Sequence, residues 1–346
     1  MSPQDAARRP PAGAQPGPGD PAPGKSATLP PEPTSAAAEW AERGERSNLL
    51  AIRLMAWVAC TLGRPAARLL LHPITLYFLC FAPAPRRHSA RYLGRALGRP
   101  ATWRDRYRHL HAFASTVLDR VYFVRHHMAA FDLQVSGGEQ VDASLAGGRG
   151  AFLLGAHIGS FEALHAVGAS RPGMRVAMVM YPDNAAKIHS VLHALAPGLN
   201  LRVIAIGRSG STLAIRDWLD GGGLVGLMGD RTIGAEGTRA ASVMLPFLGV
   251  PAPFSDGPMR LALLLRRRVV FMVGLYRGGK RYDVRFEPIA DFSVPVNDPV
   301  EREKRIATAL QDYVARLESL VREAPFNWFN FYDYWCEDAP RVASHA

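Results

Sequence analysis

Cysteine is scarce, with three residues in 346. That excludes a disulfide scaffold, and at these spacings it is too few for a structural zinc module. Long apolar runs are also missing. Mean hydropathy is −0.03, which excludes a polytopic membrane protein, and no uninterrupted run reaches the roughly twenty apolar residues of a spanning helix. The N-terminus has no apolar stretch behind a basic start, so no secretory signal is expected. Residues 1–34 hold ten of the 27 prolines and almost no large apolar side chain. Such a stretch cannot bury enough surface to fold, and residues 1–45 are expected to form a disordered tail.

Acidic residues are nearly absent from one segment. Residues 49–131 carry 13 basic and 2 acidic side chains, whereas residues 1–48 carry 5 and 6, and residues 132–346 carry 23 and 22. The chain's net charge of +11 therefore resides in that segment, nearly all of it as arginine. Arginine suits bidentate contact with phosphate and carboxylate, so the expected partner is anionic: nucleic acid, an anionic membrane surface or an acidic carrier protein. Two apolar runs, Leu49–Leu62 and Ala66–Ala82, lie in the same segment, broken by Arg53, Arg68, His72 and Pro73 and followed by Arg86, Arg87, Arg91, Arg95 and Arg99. Apolar faces flanked by arginine fit helices lying in a membrane interface, or a hairpin dipping into it; buried helices and a single spanning helix are the alternatives. Nucleic acid is disfavoured, because the arginines sit beside apolar runs instead of interleaving with exposed aromatics. Cys60 and Cys80 fall inside the runs and read as packing residues.

Tyr107, Leu110, Phe113, Val117, Leu118, Val121 and Tyr122 recur at helical spacing and predict an amphipathic helix from Trp103 to Arg125. Beyond residue 150 the texture changes to short apolar runs at 151–155, 175–180, 201–206, 224–229 and 268–275, with helical stretches starting near Ser160, Asn184, Ser211 and Asp256. Near-continuous apolar strands separated by helices predict an α/β fold whose mixed, mostly parallel sheet is flanked by helices. Residues 268–276 and 281–287 predict a hairpin, and a closing helix is expected over 300–322. The expected organisation is a tail (1–45), a basic, apolar, membrane-associating helical region (46–130), an α/β core (131–338) and a short tail (339–346), with 46–338 as one structural unit.

The sharpest local feature is Gly155-Ala-His157-Ile-Gly-Ser-Phe-Glu162, directly after a predicted strand. A strand-end loop opens on the crevice where α/β proteins bind ligands, and a histidine with a carboxylate in reach can serve as a general base. A capped turn with a buried histidine is the alternative. Asp230 and Arg231 also follow a strand and are expected at the same sheet edge, Asp230 as a substrate contact. Arg208, Arg231 and Arg239 are candidate phosphate contacts, and Gly159 and Ser160 candidate substrate contacts. Other patterns carry less: Gly221, Gly223 and Gly226 spell G-x-G-x-x-G but precede a strand, His189 and His193 lack a partner glutamate, and Ser209 lacks the full G-x-S-x-G elbow pattern. The aromatic run Asn327–Trp335 reads as packing or as an interfacial belt.

The His157-x4-Glu162 block resembles the H-x4-[DE] signature of the lysophospholipid acyltransferase superfamily. The fuller likeness is to its late acyltransferases of lipid A biosynthesis, through the strand-end aspartate, Val243-Met-Leu-Pro-Phe-Leu-Gly249 and the aromatic run Trp328–Trp335. Glu236-Gly-Thr-Arg239 is similar to an E-G-T-R block of the glycerol-phosphate branch. Ser160-Phe161 stands where Asn-Trp is common, and Arg231 where Gln usually follows the aspartate. The resemblance implies acyl transfer from acyl carrier protein, or acyl-CoA, to a hydroxyl of a glycolipid or lyso-lipid at the cytoplasmic face of the inner membrane. It implies His157 as base, Glu162 orienting the imidazole and stabilising its charged form, and neither a metal, a cofactor nor a covalent enzyme intermediate. A non-catalytic scaffold that binds anionic lipid through the arginines is the rival reading.

Overall fold

The computed structural model describes residues 61–125, 127–169, 171, 173–180, 202–207, 209–232 and 242–335, all within one compact unit, Asn48–Ala346. The expected helix near Asn184, His189 and His193, Arg208, Glu236 to Arg239, and both tails lie outside the described residues, as does most of the first apolar run.

Three helices come first: α1 (Gly63–Phe81), α2 (Pro83–Leu97) and α3 (Trp103–Val124). Pro83 and Pro85 suit the first turn of α2, where a missing N–H costs nothing, and α1 and α2 meet at 94°. At the start of α3, Thr102 and Asp105 form a reciprocal capping box that satisfies two otherwise orphaned donors. Among the described residues no single helix is long and apolar enough to cross a membrane. Helix α1 is apolar nearly all round. Its buried stripe is Ala67, Leu71, Thr75 and Leu79, while Leu69, Leu70, Leu76, Tyr77, Phe78 and Phe81 are exposed. Cys80 is exposed too, so it does not pack as expected.

The α/β layer follows with β1 (Asp132–Ser136), α4 (Gly138–Leu145), β2 (Phe152–Gly155), α5 (Phe161–Ala169), β3 (Val176–Met180), β4 (Arg202–Ala205), α6 (Ser211–Asp220) and β5 (Leu224–Met228). Then come β6 (Val243–Phe247), β7 (Val250–Phe254), α7 (Gly257–Leu265), β8 (Arg268–Gly278), β9 (Arg281–Asp291) and α8 (Pro299–Glu323). Seven strands form one sheet in the order β1-β9-β8-β2-β5-β3-β4. Every neighbouring pair is parallel except the β8–β9 hairpin, so the sheet is mixed and mostly parallel, as the sequence leads one to expect. Strand β2 is wholly buried and β5 nearly so, which is why both read as uninterrupted apolar runs.

The small antiparallel β6–β7 hairpin escapes the sequence pattern, because Pro246, Pro251 and Pro253 argue against strands. A two-stranded ribbon leaves one edge of each strand unpaired, where a missing N–H is tolerated.

Candidate active site

Strands β2 and β5 are parallel neighbours, with Gly155 opposite Met228. Their carboxyl ends therefore release His157 and Asp230 side by side, at the kind of edge where α/β sheets place ligands. The ring Nδ1 of His157 lies 2.8 Å from Asp230 Oδ1, and the His157 backbone N–H donates to Oδ2 at 3.1 Å. The Asp230 carboxylate is fully buried, whereas His157 is 31% exposed. Burial alone would raise the carboxyl's pKa, but the charge and hydrogen bonds of His157, with the charge of Arg231, hold it well below the usual range. An ionised carboxylate only accepts, so the proton on the ring sits at Nδ1 and the Nε2 lone pair is free to take a proton.

The loop between His157 and α5 is set by close backbone approach. Gly159 has φ +68°, and a Cβ there would lie 2.0 Å from the Gly274 carbonyl on β8. Ser160 donates its N–H to that same carbonyl at 2.7 Å. Contrary to its expected role as a substrate contact, Ser160 is buried: its Oγ accepts the Ala163 N–H, capping α5, and donates to Glu162.

Glu162, expected to orient the imidazole, lies in the first turn of α5. It forms an ion pair with Arg120 of α3, Nε to Oε1 at 2.5 Å, while the carboxylate on the imidazole is that of Asp230. A residue five positions after His157, in the first turn of the following helix, is carried past the ring toward α3. The end of the neighbouring strand, by contrast, lies directly beside it. Asp230, expected as a substrate contact, is thereby the partner of the histidine.

The aromatic run supplies what sequence reasoning missed. Trp328 pairs with Ile158 in an isolated antiparallel bridge. Gly159 N–H donates to the Asn327 carbonyl at 2.8 Å, and Phe329 N–H to the His157 carbonyl at 2.7 Å. Asn327 anchors this strap on β8 through both the N–H and the carbonyl of Tyr276. The Trp328 indole N–H and the Asn330 amide then donate to Asp230 Oδ2 at 3.0 and 3.2 Å, completing its four hydrogen bonds. Arg231 reaches the strap as well, donating to Asn330 Oδ1 and the Phe329 carbonyl, with its guanidinium over the Tyr332 ring. The segment is a packing plug, as the sequence favours, and also the wall that fixes the aspartate.

A small apolar recess of about 30 Å³ lies beneath α5, lined by Leu153, Phe161, Leu164, Leu224 and Met272 among others. Among the described residues, no three of His, Cys, Asp and Glu converge as metal ligands would.

The sequence model described as bacterial lipid A biosynthesis acyltransferase matches residues 49–336. The chain belongs to that family. It is an acyltransferase, of a family that is membrane-associated in general and works with an acyl donor and a lipid acceptor. No curated protein matches the chain.

Proposed function

We propose that this acyltransferase moves a fatty acyl chain from an acyl carrier protein or coenzyme A thioester to a hydroxyl of a lipid A-like glycolipid, or of a related lyso-lipid. The observation that carries the reading is the His157–Asp230 pair, with the carboxylate dry and ionised and the ring at the surface of the site. Nε2 takes the proton of the acceptor hydroxyl as its oxygen attacks the thioester carbonyl. The tetrahedral intermediate collapses with cleavage of the C–S bond, and Nε2 returns the proton to the departing thiolate. The products are an ester and a free thiol, and Asp230 stabilises the imidazolium that exists between the two transfers.

The surroundings suit an amphipathic substrate. Arg120, held by Glu162, and Arg231, held by Asn330, place two guanidinium groups near the pair for anionic portions of donor or acceptor. Gly159 shapes the loop; Arg208 and Arg239 remain candidate contacts by sequence alone. The exposed apolar face of α1 rests in the interface of the inner membrane on its cytoplasmic side, with the arginines of residues 61–125 against anionic headgroups.

Lipid mass spectrometry on the native host tests this. Wild type, a deletion, and the deletion carrying His157→Ala are compared. One lipid should lose the mass of one acyl chain in the deletion, and the variant should fail to restore it. Full restoration by His157→Ala would sink the reading and favour the scaffold.

A further inference from the structure

Two of the four hydrogen bonds on Asp230 come from the strap, so whatever fixes Trp328 fixes the aspartate. On its outer side the strap is gripped by the helical layer. His109 of α3 is fully buried, and its Nε2 lies 2.9 Å from the Trp328 carbonyl oxygen. Its Nδ1 lies 2.9 Å from the hydroxyl of Ser89 on α2, itself fully buried. Tyr92 of α2 donates to the Pro325 carbonyl at 2.6 Å, and its ring packs on both His109 and Trp328.

The protonation state follows from the partners. Burial pushes the His109 pKa down to about 4, so the ring is neutral near pH 7. A carbonyl oxygen only accepts, so the ring proton sits on Nε2 and points at Trp328. The bare Nδ1 then accepts a hydrogen bond from the Ser89 hydroxyl. A directed chain runs from Ser89 through His109 to the Trp328 carbonyl, and the Trp328 indole and the His157 ring both donate to Asp230. Leucine at 109 would fill the space but leave the buried carbonyl with only the Asn330 N–H, at 3.1 Å, and the Ser89 hydroxyl without its acceptor.

We propose that His109 is a positioning residue for acyl transfer: it holds Trp328 so that Asp230 meets His157 squarely, and so links helices α2 and α3 to the catalytic pair. This rests on His157 being the base. The consequence is regulatory, since a shift of α2 or α3 reaches Asp230 through this contact.

The test uses the full chain, with dodecanoyl-acyl carrier protein or dodecanoyl-CoA as donor and, as acceptor, total lipid extracted from the deletion host. His109→Leu should keep donor KM within about twofold and lose kcat by about ten- to a hundredfold, the scale of a small misplacement at a reacting centre. His109→Gln, whose amide N–H can still donate to the Trp328 carbonyl, should recover most of it. Hydrogen–deuterium exchange over residues 325–330 should quicken in His109→Leu and much less in His109→Gln. If His109→Leu does not fold, Ser89→Ala, nearly unchanged in volume, should slow kcat about threefold at constant KM. Wild-type kcat in His109→Leu, or the same loss in the Gln and Leu variants with KM and Tm failing together, would overturn the proposal. So would wild-type kcat in Ser89→Ala. If His157→Ala remains active, the underlying assignment of the base fails, whatever position 109 does.

Discussion

The helical layer and the α/β layer both hold many arginines and treat them differently. In the α/β layer they meet carboxylates: Arg260 with Glu303, Arg268 with Asp291, Arg285 with Glu323, Arg316 with Glu287 and Arg322 with Glu318. In the helical layer the only two acids are consumed by structure. Asp105 caps α3 and binds Arg99, and buried Asp119 is shared by Arg64 and Tyr282. Other arginines there meet carbonyl oxygens, as Arg86 does, or aromatic faces, as Arg95, Arg106 and Arg108 do. One layer pairs most of its charge internally and lends Glu162 and Asp333 to Arg120 and Arg91. The other keeps positive charge beside an apolar helix face, which is how a protein prepares to meet an anionic bilayer.

The two layers should fail in different ways. The largest effect is expected in the sheet: His157→Ala and Asp230→Asn should cost on the order of a thousandfold or more in kcat. Both variants should still sediment with membranes, and loss of sedimentation would erase the contrast between layers. Next comes acid. The His109 pKa falls from 6.5 to about 4 on folding, so the unfolded chain binds a proton there that the native one does not. Stability should rise with pH between about 4 and 6.5, by on the order of 3 kcal/mol from this residue. His111 should add a smaller, solvent-screened share, because burial and the charges of His72 and Arg68 push it down as well. Urea melts at pH 4.5 and 7 check this, and His109→Gln should flatten the difference.

A smaller effect is expected on the exposed face of α1. Leu76→Glu combined with Phe78→Glu should weaken binding to anionic vesicles about tenfold or more, with Tm nearly unchanged. A large drop in Tm would instead make that face part of the core. Smallest is the seam between the layers. Arg120→Ala and Glu162→Ala should each slow turnover about tenfold, and the double variant should be little worse than either, a coupling of about 1 kcal/mol. Fully additive losses would separate Glu162 from Arg120 and return it toward the histidine.

Much of the α/β layer was legible because burial on both faces of a parallel sheet leaves continuous apolar runs, and because a strand end is visible as such a run stopping. His157 and Asp230 were found that way, at Gly155 and Met228. The identity of the carboxylate on the imidazole was not legible. Sequence distance favours Glu162, but adjacency of β2 and β5 is a property of the sheet order, which the chain shows only when folded. The strap was hidden for a related reason. A single bridge between Ile158 and Trp328 has no periodicity, so Trp328 reads as bulk when its indole N–H is what the aspartate needs. On α3 the apolar spacing was clear. The residues that matter to the site, His109 and Arg120, are polar positions on a helix read for its apolar ones.

The strap also sets when the enzyme comes into being. Asn330 follows Asp230 by 100 residues, and Trp328 follows His109 by 219. A ribosome that has made the whole sheet and the histidine loop has still not made the groups that fix the aspartate. A chain cut before Asn327 would carry the H-x4-E block intact and yet lack a set base. On the proposed mechanism, activity would be withheld from nascent and C-terminally clipped chains until the closing segment returns across His157.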